Sequence, residues 1–365
     1  MNSSLCPLPG LDGTNPLAFL ASLGVLRLLT LARPELEPQL SWDKGCQRPV
    51  LKLRNVLTQD EISQILWSSL IGGPNDCGAG LKAREVLSSR QNQREAAEKE
   101  MKKDKSLSSA DRKKRLEAYD AELSELQKRW LGLAAPHLNF GPDTKFQMTV
   151  YRSWELAAKD VSASDRTQAD VIASLCSSAH GDEEGFAADT DFRTVRGAGH
   201  QHFLGIMVNQ LIELQPQHVQ KTLFAPWQYD DPLEALSLRW DPLDDVRYAL
   251  RWGNPSGDPL RKKQGNMIAA NTLAAAALPC FPVVPTDDGV ATTGFSKINR
   301  ATCWSWPLWD GFLNLDCVRS LLAHHELQKD EPDHRQLSPM GIFGVFRTER
   351  FTQGKFRNFT PAEAV

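Results

Sequence analysis

GLDGTNPLAFLASLGVLRLL, residues 10–29, is the stretch from which the rest of the fold is read. Asn15 has a side-chain oxygen suited to capping a helix, and Pro16 follows at the first helical position, where a missing N–H costs nothing. A helix is therefore expected to start there. Leu17 to Leu31 is a predominantly apolar run of 15 residues that holds Arg27 and has no basic segment before it. It is too short and wrongly flanked for a membrane span or a signal peptide, so it reads as a helix buried in a core. Gly24 sits mid-helix, where glycine weakens the helix; the expected gain is close approach of another backbone at that point.

Beyond this helix, Trp42 and the alternation of Val50, Leu51, Lys52, Leu53 and Arg54 predict short strands. Thr58 and Glu61 form a T-x-x-E capping box ahead of Ile62, Ile65, Leu66 and Leu70, which share one helix face. Between Arg90 and Arg129 the composition changes: twelve basic and nine acidic side chains occur with no glycine or proline. That pattern predicts a long, solvated helical insert. Leu116, Tyr119, Leu123, Leu126, Trp130 and Leu133 repeat at alternating steps of three and four, the seam of a coiled coil. With a turn at Ser106–Ser109 the insert becomes a helical hairpin, its first arm contributing Ala83, Leu87, Ala97 and Met101. The expected organisation is a helical and short-strand region over 1–79, a protruding charged hairpin over 80–134, and a mixed α+β core over 135–365.

In that last region Phe146, Met148 and Val150 alternate as in a strand, and helical stretches are expected near 167–178 and 201–214. GNMIAANTLAAAALPCFP, from Gly265, reads as a small-residue helix ended by Pro279, able to pack closely. Strands are expected around Val290–Phe295 and Cys303–Trp309.

The formal charge of −3 leaves no global positive field to draw the protein onto nucleic acid, so any such contact must come from local clusters. Seven cysteines, an odd number with no CxxC pair, fit reduced thiols and a cytoplasmic setting. HExxH, HD pairing, GxSxG, the Walker A loop and the Rossmann fingerprint are all missing from the sequence, so no nucleophile, base and metal set is legible. No cofactor is expected.

Three clusters remain. Arg193 and Arg196 precede a turn with Gly197 and Gly199, an order that can aim backbone N–H groups and forked guanidinium donors at a phosphate; alternatively the arginines pair with Asp189 and Asp191. Asp241, Asp244 and Asp245 offer hard oxygen ligands for magnesium, yet Arg239, Arg247 and Arg251 interleave with them and suit a salt-bridged turn better; an exposed basic loop with Lys262 and Lys263 follows. GIFGVFRTERFTQGKFRNF sets Arg347, Arg350, Lys355 and Arg357 among five phenylalanines, so that cations could neutralise a phosphate backbone while rings stack on unpaired bases. The competing reading is a strand pair with its phenylalanines in the core.

LDGTNPLAFLASLGVLRLL, LRWDPLDDVRYAL, ALPCFPVVP, WSWPLWDG and GKFRNFTPAE together resemble a CRISPR-associated protein family of type I-G loci, formerly called I-U. Pro16, Leu17, Leu20, Leu23, Gly24, Val25, Leu26 and Arg27 are similar to a PL-x-x-L-x-x-LG-V-L-R helix that opens large subunits of such systems. The resemblance implies a non-catalytic part in RNA-guided interference against foreign DNA, touching guide RNA or target DNA, contacting other interference subunits, or helping to recruit the helicase-nuclease. The chain is short for a large subunit and acidic in balance, which favours an accessory or adaptor role. On this reading Arg193, Arg196, Gly197, Gly199, Lys262, Lys263, Arg347, Arg350, Lys355 and Arg357 meet nucleic acid, and Leu116, Tyr119, Leu123, Leu126 and Trp130 meet a partner. Two alternatives stand beside it: a protein adaptor without nucleic-acid affinity, and a magnesium-dependent nuclease built on Asp241, Asp244 and Asp245.

Overall fold

The computed structural model describes residues 4–73, 77–104, 106–135, 138–161, 166–195, 202–231, 237–244, 266–287, 289–353 and 356–365. Strand β1 (Ser4–Pro7) leads to α1 (Pro16–Ala32), which starts where the cap requires: Asn15 accepts a hydrogen bond from the Ala18 N–H at 3.1 Å. Strands β2 (Gln39–Trp42) and β3 (Pro49–Leu53) join β1 in an antiparallel sheet of order β1-β3-β2. Helix α2 (Gln59–Gly72) opens on the complete capping box, with Glu61 N–H donating to Thr58 Oγ1 at 3.2 Å and Thr58 N–H donating to Glu61 Oε2 at 2.7 Å.

Helices α3 (Cys77–Lys103) and α4 (Ser109–Ala134) form the hairpin. There follow α5 (Met148–Val161), α6 (Arg166–Leu175), the strand pair β4 (Cys176–Gly181) and β5 (Ala187–Asp189), then α7 (Phe203–Glu213), α8 (Pro216–Phe224) and α9 (Ile268–Ala277). Strands β6 (Val283–Thr286) and β7 (Gly289–Thr292) pair with each other. The largest sheet uses β8 (Phe295–Ile298), β9 (Ala301–Trp309), β10 (Ile342–Gln353) and β11 (Phe356–Phe359) in the order β11-β10-β9-β8, with β12 (Glu363–Ala364) beside β10. Helices α10 (Leu315–Leu322) and α11 (His334–Leu337) fill the connection from β9 to β10. The chain is thus α+β, with helices dominating its N-terminal half and antiparallel sheets its C-terminal region.

The centre of the molecule is α1. Every residue from Pro16 to Leu29 is buried, as expected of a helix that is apolar on all sides. On one side lies α9, whose alanines let the two backbones close until an ideal Cβ on Gly24 would stand 1.8 Å from the Leu273 carbonyl oxygen. On another lies β9, buried continuously from Cys303 to Trp309, where Phe19 meets Trp306 at 5.6 Å and Trp304 at 6.0 Å between ring centroids. The Trp306 indole donates to the Gly13 carbonyl at 2.8 Å and that of Trp309 to the Leu40 carbonyl at 2.9 Å, whereas the neighbouring Trp304 N–H is buried without a hydrogen-bond partner. A single apolar cluster runs from Leu8 to Phe359. The boundaries expected at 80 and 135 therefore mark changes of composition, and residues before 80 share one core with residues after 135.

Two local expectations are corrected. Residues 146–150 are not a strand: α5 begins at Met148, and Val150 is 45% exposed. Three alternating residues span only five positions, too few to separate a strand from a helix, and the helix packs into the ring cluster of Phe140, Phe146, Tyr151 and Trp154, with Phe146 and Tyr151 stacked at 5.4 Å. The helix expected near 167–178 stops at Leu175, because Cys176 N–H turns to the Tyr151 hydroxyl at 3.1 Å and the chain then pairs with β5.

The thiols divide by exposure. Cys46 and Cys317 are exposed, whereas Cys176 and Cys280 are buried; burial pushes both buried thiols up, that of Cys280 to about 11. Alkylation of the native protein at pH 8, read by peptide mass spectrometry, is expected to mark Cys46 and Cys317 within minutes and to reach Cys176 and Cys280 only after denaturant is added. Equal labelling of all four would contradict this packing.

Candidate nucleic-acid interface

The arginines expected to meet phosphate hold the core together instead. Arg193 has a side chain 9% exposed and bridges two carboxylates, Asp143 at 2.8 Å and Asp189 at 2.5 Å. Burial alone would lower its pKa, but the two carboxylates beside it hold it above the ordinary value. Its Nε donates to the Val195 carbonyl at 3.1 Å, so the fork is used on every side. Of the two pairings considered from sequence, Asp189 holds for Arg193, while Asp191 belongs to Arg350 at 2.9 Å.

Arg350 also donates to the Asp191 carbonyl at 2.6 Å and is 11% exposed. Arg347 is 10% exposed; its guanidinium donates to Ser305 Oγ and the Asp330 carbonyl at 2.8 and 2.7 Å, and also to the Lys329 carbonyl. Arg357, half-buried, donates to the Arg193 carbonyl at 3.3 Å. These four side chains stitch β10 and β11 to the 189–195 segment and to the 325–330 turn. The Arg193, Arg347 and Arg350 side chains are spent largely within the fold, at variance with a phosphate contact, while Arg357 keeps part of its guanidinium exposed. Phe346 and Phe359 follow the strand-pair reading and enter the core, with Phe359 fully buried and 6.1 Å from Trp304, while Phe343 and Phe351 are half-buried. Arg196, Gly197, Gly199, Lys262, Lys263 and Lys355 lie outside the described residues.

Asp241 is 1% exposed, and its Oδ1 accepts from Leu243 N–H at 2.9 Å and from Asn15 Nδ2 at 3.3 Å. The residue that caps α1 is thus itself held by Asp241, a structural use of this carboxylate. The Asp244 side chain and Asp245 lie outside the described residues, and among the described residues no three His, Cys, Asp or Glu side chains converge as a metal site. A second buried carboxylate, Asp231, accepts from Ile268 N–H at 2.7 Å and caps α9. Interior charge also appears at Arg27, which lines a cavity of about 70 Å³ together with Ser69, Ser174 and Thr272. Its guanidinium donates to the Ala276 carbonyl at 3.2 Å, and burial lowers its pKa.

Among the described residues the hairpin is the one large feature whose side chains face mostly outward. Its arms, 27 and 26 residues long, extend about 40 Å at 1.5 Å per residue. The root is rigidly set. Trp130 is fully buried and donates to the Ile71 carbonyl at 3.0 Å, Arg84 donates to the carbonyls of Ile212 and Leu214 at 2.7 Å, and α3 crosses α2 so closely that a Cβ on Gly80 would stand 2.0 Å from the Gly72 oxygen. Further out the arms hold each other through Arg94–Asp120 at 2.9 Å, an Arg90–Glu122 ion pair, and the Arg90 guanidinium 4.4 Å above the Tyr119 ring.

The seam residues expected to receive a partner close the hairpin on itself. Leu116 and Trp130 are buried, and Leu123 and Leu126 are half-buried against the core cluster. A partner would meet the charged exterior and not this seam. Charge is unevenly distributed along the insert, a signal that residue counting alone carries. Residues 99–115, the distal end, carry eight basic and three acidic side chains, while 77–98 and 116–134 together carry six and seven.

No protein-family model, no curated protein and no solved structure matches this chain. Among the described residues no helix is long and apolar enough to cross a membrane.

Proposed function

We propose that the chain is a non-catalytic subunit of an RNA-guided antiviral interference complex of the CRISPR type I-G kind, acting in the cytosol and binding nucleic acid and partner subunits. The observation that carries this reading is the α3–α4 hairpin, anchored at its root by Trp130 and Arg84 and presenting a charged surface that the core does not use. A projecting arm with a fixed base suits an assembly component, since pre-organisation lowers the entropic cost of docking. The phrases on which the resemblance rests supply the rings of one aromatic cluster. Phe19, Phe281 and Phe359 each lie about 6 Å from Trp304, and Trp240 packs on Phe192 beside them. The resemblance is therefore a likeness of core packing, and the binding surface must be sought elsewhere.

The test is purification of the tagged chain from its native host, with sequencing of any co-purifying RNA and identification of associated proteins. Guide RNA and the other interference subunits are expected. A variant in which residues 95–118 are replaced by a short Gly-Ser turn keeps the Arg94–Asp120 register and the root. It is expected to retain its fold by circular dichroism and to recover less than about a tenth of the associated subunits, a loss of 1.4 kcal/mol or more in docking. Purification with neither RNA nor subunits would overturn the reading.

A further inference from the structure

The distal end of the hairpin differs in kind from its root. Residues 99–115 have a net charge of +5, whereas the remainder of the chain sums to −8. Two of the three acids of this end are committed locally. Asp104 accepts from Ser106 N–H at 2.9 Å and from its hydroxyl at 2.5 Å, which holds its carboxyl below the usual range, and Asp111 closes the α4 cap by accepting from the Ser108 hydroxyl at 2.6 Å. Glu100 is exposed on α3. Lys99 and Lys102 pair with Glu95 and Glu98, and Arg112 donates to the Leu107 carbonyl at 2.9 and 3.2 Å. Lys105 lies outside the described residues, and four described cations remain. Lys103, Lys113, Lys114 and Arg115 are exposed and form no ion pair among the described residues.

We infer that this end of the hairpin grips a nucleic-acid backbone through Lys103, Lys113, Lys114 and Arg115 without reading its bases, an inference that rests on the nucleic-acid-binding reading above. An exposed cluster of lysines is the material of phosphate contacts, whereas protein interfaces are depleted in lysine and built around buried aromatic or aliphatic anchors. Residues 99–115 contain no aromatic residue, and none of the exposed large apolar side chains lies among them. Nor does this segment hold an asparagine or glutamine to pair with a base edge. Two helices side by side are about 20 Å across, too wide for a major groove of about 12 Å that admits one helix. The tip therefore rides on the backbone. Positive charge on the end of an arm, set against a negative body, also steers the strand to the tip and away from the core surface.

The test uses the full chain and its quadruple variant Lys103→Gln, Lys113→Gln, Lys114→Gln, Arg115→Gln. All four positions are solvent-facing, so the fold is expected to persist, and circular dichroism checks this. Binding of labelled single- and double-stranded oligonucleotides of unrelated sequence is titrated by fluorescence anisotropy over a range of salt concentrations. The wild-type chain is expected to bind them with little sequence preference. The variant is expected to bind at least about tenfold more weakly at 0.1 M salt, and to lose about three from the slope of log affinity against log salt. If the chain binds and the variant has the same affinity and slope, the tip inference falls while the proposed function stands. If the wild-type chain binds no nucleic acid at all, both fall. Loss of a protein subunit from the variant with nucleic-acid affinity unchanged would reassign the tip to an acidic protein and overturn the inference.

Discussion

Gly24→Ala is expected to destabilise the protein by about 3 kcal/mol or more, or to abolish folding, although the substitution improves helix propensity by about 1 kcal/mol. The added methyl would stand 1.8 Å from the Leu273 carbonyl oxygen and 2.6 Å from its carbon. These are backbone atoms, so no side-chain rotation relieves the overlap, and α9 would have to move bodily off α1. Movement is opposed at the α9 N-terminus by Asp231, and along its length by Asn271, whose side chain accepts from Leu238 N–H at 3.0 Å. The matched control is Gly132→Ala in α4, where an added Cβ meets nothing within 4 Å. There the same change is expected to stabilise by about 0.5–1 kcal/mol. Urea unfolding reads both, and opposite signs are the expected result. A Gly24→Ala protein as stable as wild type would mean that α1 and α9 do not meet as described.

Arg193→Ala is the second large effect, about 3–5 kcal/mol of destabilisation, because removal of the cation leaves two largely buried carboxylates, Asp143 and Asp189, without their shared partner. Urea unfolding of the variant beside wild type measures it. If Arg193 were instead a surface contact for phosphate, its removal would leave stability within about 0.5 kcal/mol of wild type and change only the salt dependence of binding.

What was legible beforehand shares a physical basis. The Asn15 cap, the Thr58–Glu61 box and the hairpin seam are set by residues within one or two turns of each other, so spacing alone reveals them. Gly24 and the alanines of α9 were legible as size signals, each announcing a close approach. The misread segments are those in which local preference is weak. Phe146–Val150 has too few alternating residues to separate strand from helix, and the 176–181 strand depends on a partner that follows a turn. The candidate site was the least legible, since Arg347 and Arg350 find their partners far along the chain, and of the Arg193 partners only Asp189 is a sequence neighbour.

The sequence by itself determined the caps, the buried first helix, the charged hairpin and the excess of positive charge at its end. Each follows from residues close along the chain or from composition alone. Only the tertiary structure decided that Leu273 fills the space left by Gly24, and which cations are spent in the core. Arg193 finds Asp143 50 residues away, and Arg350 reaches the carbonyl of Asp191 across 159. A charge lost to solvent and a charge locked into a distant ion pair look the same in a string of letters; they differ in the company that folding brings to them.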